Sequence, residues 1–302
     1  MQKNILKSGI TLSELGLGCM SLGTEYAHAE HIIETALDSG ITYFDTADIY
    51  DKGINEDIVG KVLRKYQHRD DIVVGTKVGN QLQPNGEMIW NPSKSYIKEN
   101  VKYSLQRLGL DQLDIYMLHG GTIDDPLDET ISAFEELKEE GWIRAYGISS
   151  IRPNVIRYYL AHSNIDVIMS QFNLIDHRPE MLVDEIHDKG VKILARGPVF
   201  KGLLTQNYQS ILKEKFADGI FDYDGATLAH TMETLHDITP HLTALSFDYL
   251  KSFDALGSII VGASSAEQLR DNVAQFEQKI TPEILEQARN SVKSIAYTQH
   301  LS

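Results

Sequence analysis

Four residues whose chemistry can be combined stand at the ends of apolar, β-branched runs in this 302-residue chain. A run over Ile41–Asp45 finishes in Phe44-Asp45-Thr46-Ala47-Asp48-Ile49-Tyr50, one over Asp71–Lys77 in Gly75-Thr76-Lys77, and one over Leu113–His119 in Tyr116-Met117-Leu118-His119. Singly, each has an ordinary explanation: Asp45 as a turn or cap residue, Tyr50 as a packed loop aromatic. Together they form an acid, a phenol, an ammonium and an imidazole delivered by three adjacent runs. A phenol titrates near ~10 and is a poor acid at neutral pH, but an ammonium within reach stabilises its phenolate and lowers that value. Lys77 is expected to supply the charge, with Asp45 keeping it protonated and oriented. His119 is then free to donate a hydrogen bond to a carbonyl oxygen, and the set suits protonation of an oxyanion forming on a carbonyl carbon. No side chain provides a hydride, so a nicotinamide or a flavin is implied.

Such a quartet needs a scaffold that brings strand ends to one face. Further buried-strand patterns occur at Leu15–Met20, Ile143–Ser149, Ile165–Phe172, Val191–Arg196 and Ser258–Val261. Amphipathic segments with three- and four-residue apolar spacing lie between the runs, at Glu30–Asp38, Glu56–Tyr66, Ser95–Leu108, Leu127–Glu139, Pro153–His162, Glu180–Lys189 and Thr227–Ser252. Gly40, Gly109, Gly141 and Gly190 stand just past helix ends, where a left-handed residue suits glycine. Asp125-Pro126 and Arg152-Pro153 place proline in a helix's first turn. About eight strand–helix units in one α/β chain predict a single (β/α)8 TIM barrel spanning residues 1–302, with reactive groups at the carboxyl ends of its strands. Extra C-terminal helices are expected at Ala266–Gln275 and Pro282–Ile295. An open doubly wound sheet is the alternative, but no G-x-G-x-x-G follows the first strand and no P-loop occurs.

Composition narrows the partners. With 43 acidic and 28 basic residues the net charge is −15, which argues against binding nucleic acid or an anionic membrane. Cys19 is the only cysteine, so neither an intramolecular disulfide nor a cysteine-based zinc site forms, as befits a reducing compartment. No apolar run approaches the ~18 residues of a membrane span, and the chain reads as cytoplasmic. His28 and His31 lack companion metal ligands. Trp90, in the polar loop Asn80–Pro92, is a candidate for the substrate pocket wall. The sequence carries no signal for oligomeric state.

Ordered motifs along nearly the whole chain extend the quartet: Leu15-Gly16-Leu17-Gly18, Asn55-Glu56, Ser104-Leu105 with Arg107-Leu108, Gly141-Trp142-Ile143-Arg144-Ala145-Tyr146-Gly147-Ile148-Ser149, Gln171-Phe172-Asn173, Gly202-Leu203-Leu204-Thr205 and Val261-Gly262-Ala263-Ser264-Ser265. In these the chain resembles the aldo-keto reductases. The resemblance implies the barrel fold, a catalytic tetrad of Asp45, Tyr50, Lys77 and His119 with Tyr50 as general acid, and reduction of a small-molecule carbonyl substrate. It also implies that Ser149, Ser150 and Gln171 hold the nicotinamide carboxamide. Ser150 departs from the usual asparagine and could instead cap the helix begun at Pro153. Gly202, Leu203 and Thr205 match the loop that meets the pyrophosphate. Ser264, Ser265, Gln268 and Asn272 match the adenine and 2′-phosphate segment, with Arg270 nearby. Many relatives carry a lysine and an arginine in that segment, where this chain has Gly262 or Ala263 and Gln268. The resemblance implies NADPH (NADP) as the cofactor, and the missing charges keep NAD as the alternative. Two other functions compete: a nicotinamide-binding sensor or regulatory subunit with little turnover, and a metal hydrolase using Asp45 and His119, which Lys77 disfavours.

Overall fold

The structure, a computed structural model, describes residues 1–66 and 69–302. It begins with a hairpin of β1 (Lys3–Ile5) and β2 (Thr11–Ser13), followed by β3 (Leu15–Gly18), α1 (Tyr26–Asp38), β4 (Tyr43–Asp45), α2 (Ile54–Leu63) and β5 (Val73–Val78). A second hairpin, β6 (Asn80–Leu82) and β7 (Met88–Trp90), precedes α3 (Lys94–Leu108), β8 (Leu113–Leu118), α4 (Leu127–Glu139), β9 (Ile143–Ser149), α5 (Pro153–His162) and β10 (Val167–Gln171). The chain continues through α6 (Glu180–Asp188), β11 (Lys192–Arg196), α7 (Tyr208–Lys215), α8 (Gly225–Ile238), α9 (Leu242–Lys251), β12 (Leu256–Gly262), α10 (Ala266–Glu277) and α11 (Pro282–Ser291). Strands β3, β4, β5, β8, β9, β10, β11 and β12 pair in parallel in that order and close, with Ile259 of β12 opposite Leu15 of β3. The predicted barrel and its C-terminal helices are present, the last helix ending at Ser291 rather than Ile295.

Two apolar layers hold it. Between sheet and helices lies a continuous core containing Leu17, Phe44, Val74, Tyr116 and Ile148. Their strand neighbours face the barrel interior and form a separate cluster with Tyr43, Val73, Ile115, Met117, Val167, Met169, Leu194 and Ile260. Side chains alternate along a strand, so Asp45 shares the inward row of Tyr43, and Lys77 that of Val73. The interior row therefore ends in charged groups at the carboxyl rim. Tyr43 fills the barrel because Gly75 leaves room; a Cβ there would stand 2.5 Å from the Tyr43 hydroxyl oxygen. The first hairpin plugs the opposite end with Leu6, Ile10 and Leu12.

Three local expectations are corrected. The helical pattern over Thr227–Ser252 is two helices, α8 and α9, because Pro240 lacks an amide donor and pushes Thr239 into extended geometry (φ −157°, ψ 134°). Pro126 is the N-cap of α4 rather than a first-turn residue, and Leu127 N–H donates back to the Asp125 carbonyl at 2.7 Å. The polar loop at Asn80–Pro92 contains the β6–β7 hairpin, turned at Gly86 with φ 87°. The four glycines past helix ends all have positive φ, from 65° to 81°.

Candidate functional site

The carboxyl ends of the barrel strands surround a cleft of about 1100 Å³. Asp45 ends β4, Lys77 lies one residue before the end of β5, His119 follows β8, and Tyr50 opens a short 3-10 turn after β4; all four line the cleft. Lys77 is 1 % exposed, and its Nζ donates to Asp45 Oδ2 and to the Thr46 carbonyl, each at 2.7 Å. The Tyr43 hydroxyl donates to the other Asp45 oxygen at 3.4 Å. A buried charge is tolerated only when paired and hydrogen-bonded, and both conditions hold here.

Lys77 Nζ stands 5.3 Å from the centre of the Tyr50 ring, and the His119 ring meets that ring edge-on at a centroid distance of 5.9 Å. Burial alone would lower the Lys77 pKa, but the charge and hydrogen bond of Asp45, together with Tyr50, outweigh it and the ammonium is held above its ordinary value. Burial raises the Tyr50 phenol above its ordinary value, while Lys77 acts in the opposite sense. The expected lowering of the phenol is thus corrected: desolvation wins, and Tyr50 stays a protonated acid at neutral pH. Burial, reinforced by the charges of Lys77 and Arg196, pushes His119 down to about 3, so its imidazole is neutral. A neutral ring has one donor nitrogen, and Nδ1 is buried without a partner among the described residues. The arrangement places a phenol proton beside an ammonium, with a neutral imidazole across from it.

The family model for the aldo/keto reductase family matches residues 14–292. The chain belongs to the aldo/keto reductase family. It is 46 % identical over 300 residues to the uncharacterized oxidoreductase YqkF of Bacillus subtilis (strain 168), covering 98 % of this chain and 97 % of that protein. It is 31 % identical to the NADH-specific methylglyoxal reductase of Escherichia coli (strain K12), over 88 % of this chain and 90 % of that one. Identity to the aldo-keto reductase yakc [NADP(+)] of Schizosaccharomyces pombe (strain 972 / ATCC 24843) is 27 %, over 93 % of this chain and 88 % of that one. Among solved structures, the holo form of aldo-keto reductase AKR11C1 from Bacillus halodurans superimposes with a TM-score of 0.92 at 45 % identity, over the whole of both chains. As a member of this family the protein is an oxidoreductase.

Around the quartet the reductase places Ser149, Ser150 and Gln171 on the cleft wall. Gln171 Nε2 donates to Asp176 at 2.7 Å, which fixes the amide. Ser150 Oγ accepts from the amide of Arg152, the N-cap residue of α5, at 3.1 Å. Gly202, Leu203 and Thr205 stand apart from the wall. The amides of Gly202 and Leu203 close a 3-10 turn on the carbonyls of Val199 and Phe200, and Thr205 Oγ1 donates to the Gly202 carbonyl, so these two amides are not free donors. Ser264, Ser265, Gln268 and Asn272 interlock at the start of α10, beside Gly262 of the wall. Gln268 Oε1 accepts from Ser264 N–H at 2.8 Å, Ser265 Oγ accepts from Gln268 N–H at 3.1 Å, and Asn272 donates to the Gly262 carbonyl at 3.4 Å. The His28 Nε2 lies 2.8 Å from the Ser264 carbonyl, beside this segment.

Trp90 is not part of the cleft wall; its ring packs against Gly79 and Gly120, and its Nε1–H donates to Asp125. The sequence did not single out four cations that line the cleft, Arg152, Arg178, Arg196 and Lys201, nor the segment Ile295–His300 that crosses it. Arg196 ends β11 at the same rim and was legible by the strand-end rule that found Lys77. Arg178 donates to Asp176 from Nε at 2.7 Å and from a terminal nitrogen at 2.9 Å, and its guanidinium lies 3.9 Å from the Phe221 ring centre and 4.9 Å from that of Tyr297. His177 Nε2 accepts from the Ile295 amide at 3.2 Å, and Asn154 N–H donates to the His300 carbonyl at 2.8 Å. The C-terminal segment is therefore tied to the rim at three places.

Proposed function

We propose that this reductase uses NADPH to reduce an aldehyde or ketone to an alcohol, with Tyr50 as proton donor. The buried Lys77–Asp45 pair beneath the Tyr50 ring carries the reading, because a structural tyrosine at a barrel rim needs no such charge below it. When bound, the reduced nicotinamide supplies the hydride. The protein's residues do the rest. Tyr50 delivers its hydroxyl proton to the carbonyl oxygen, Lys77 offsets the charge left on the phenolate, Asp45 holds Lys77 in place, and neutral His119 orients the oxygen by a hydrogen bond.

The cleft fits a dinucleotide in volume and in charge. Arg196 and Lys201 put positive charge on the wall of an otherwise acidic protein, and the N-terminus of α10 lies beside it. On this reading Gln171 and Ser149 meet the carboxamide, and Ser264 with Ser265 the adenosine phosphate. Among the relatives, one name specifies NADP(+) and another NADH. The cationic wall favours the cofactor with the extra phosphate, and NADH is the alternative. Met20, Ile49, Ile151 and Ile295 give the mouth an apolar side that suits a carbonyl compound with a hydrocarbon body. One domain over residues 1–302 performs the reaction, in the cytoplasm. No helix among the described residues is long and apolar enough to cross a membrane.

Fluorescence titration with both reduced nicotinamides, followed by a carbonyl screen monitoring NADPH oxidation, tests the reading. Tighter binding of NADPH and carbonyl-dependent oxidation are expected; binding without turnover on any carbonyl would instead support a sensor. The pH profile is a separate check. With His119 neutral above about pH 3 and Tyr50 protonated beyond its ordinary range, kcat/KM for reduction is expected to be flat between about pH 6 and 9 and to fall only as the phenol ionises. An inflection near pH 6.5 that disappears in His119→Ala would contradict this assignment.

A further inference from the structure

We propose that Trp90 and Asp125 are positioning residues for His119, clamping the His119-Gly120-Gly121 turn from behind so that the imidazole keeps its aim into the cleft. The inference rests on the role of His119 given above. No side chain among the described residues hydrogen-bonds the His119 ring, and its buried Nδ1 has no partner. The ring's direction is therefore set by its edge-on contact with Tyr50 and by the backbone that carries it. That backbone is one that only glycine adopts readily: Gly120 and Gly121 have φ of 142° and 119°, and the Gly121 carbonyl accepts from the Arg152 guanidinium. A glycine turn holding a group that must be aimed needs an external brace.

Trp90 supplies a wall. A Cβ placed on Gly79 would stand 2.6 and 2.8 Å from two atoms of its six-membered ring, and one on Gly120 would stand 3.5 Å from the same two atoms. Gly79 follows the strand bearing Lys77, and Gly120 follows His119, so one indole spans both strand ends. Its Nε1–H donates to Asp125 with both carboxylate oxygens at 3.1 Å, and Asp125 Oδ2 accepts from the Thr122 amide, the residue after Gly121, at 2.7 Å. The carboxylate thus ties the far end of the glycine turn to the ring beneath it. At the near end, His119 N–H donates to the Val78 carbonyl and Asn91 N–H to the Gly79 carbonyl, both at 2.7 Å.

The test measures Trp90→Phe and Asp125→Ala alone and in a His119→Ala background. Each single substitution is expected to lower kcat by about tenfold, with carbonyl KM and NADPH affinity by fluorescence changed by less than about twofold. In the His119→Ala background Trp90→Phe should change kcat by less than about twofold, because a brace has nothing left to aim. Asp125→Asn, which keeps an acceptor for the indole, should recover most of the loss seen in Asp125→Ala. An unchanged kcat in Trp90→Phe, or an equal loss with and without His119, would overturn the proposal, the second by showing a general structural effect. If the parent itself reduces no carbonyl, or if Tyr50→Phe leaves it fully active, the functional reading fails instead.

Discussion

Tyr50→Phe is expected to lower kcat for carbonyl reduction by about 10²- to 10⁴-fold, the range over which a positioned acid acts. That loss corresponds to about 3 to 5 kcal/mol of transition-state stabilisation. The substitution removes one oxygen and leaves the ring that meets Lys77 and His119. NADPH affinity by fluorescence and the thermal unfolding midpoint are therefore expected to stay near the parent values. Activity within tenfold of the parent would show that the proton comes from elsewhere.

Lys77→Met is expected to do two kinds of damage that can be separated. The ammonium that offsets the phenolate charge disappears, and kcat should fall at least as far as in Tyr50→Phe. Asp45 is meanwhile left as an unpaired buried carboxylate, with only the Tyr43 hydroxyl at 3.4 Å. Breaking a buried ion pair from one side costs about 3 to 5 kcal/mol, whereas removing both partners is often nearly neutral. Adding Asp45→Asn to Lys77→Met should restore most of the stability in urea unfolding and none of the activity. A double variant that recovers turnover would mean that Lys77 serves only the fold.

The barrel was legible because a parallel strand covered on both faces is an uninterrupted apolar run; Ile143–Ser149 and Leu127–Glu139 coincide with their predicted bounds. What escaped were elements with weak or local signals. The first hairpin turns at Gly9, with φ 84°, and the second at Gly86, yet their strands have only three residues each and little alternation to read. α7 is short, with Tyr208 as its one buried residue. Pro240 was a plain signal that the long apolar period over Thr227–Ser252 concealed.

The site was legible in part for a different reason. Asp45, Tyr50, Lys77 and His119 follow from strand ends, and the same rule carried to β11 finds Arg196. The segment Ile295–His300 has no periodicity, and its place over the cleft depends on long-range contacts with Arg178, His177 and Asn154. Sequence could supply the sign of the Lys77 effect on Tyr50 but not the depth of burial, and burial decided the direction of the shift.

Hydride transfer in this cleft from a nicotinamide to a carbonyl carbon, with Tyr50 supplying the proton, leaves an isotopic record in the product. The test uses NADPH carrying deuterium at both C4 positions of the nicotinamide, an aldehyde from the screen, and mass spectrometry or NMR of the alcohol formed. Deuterium on the carbinol carbon with the parent protein, and labelled alcohol formed at least about 10²-fold more slowly with Tyr50→Phe, is the predicted result. Alcohol without the label, or labelled alcohol formed equally well by Tyr50→Phe, would contradict it.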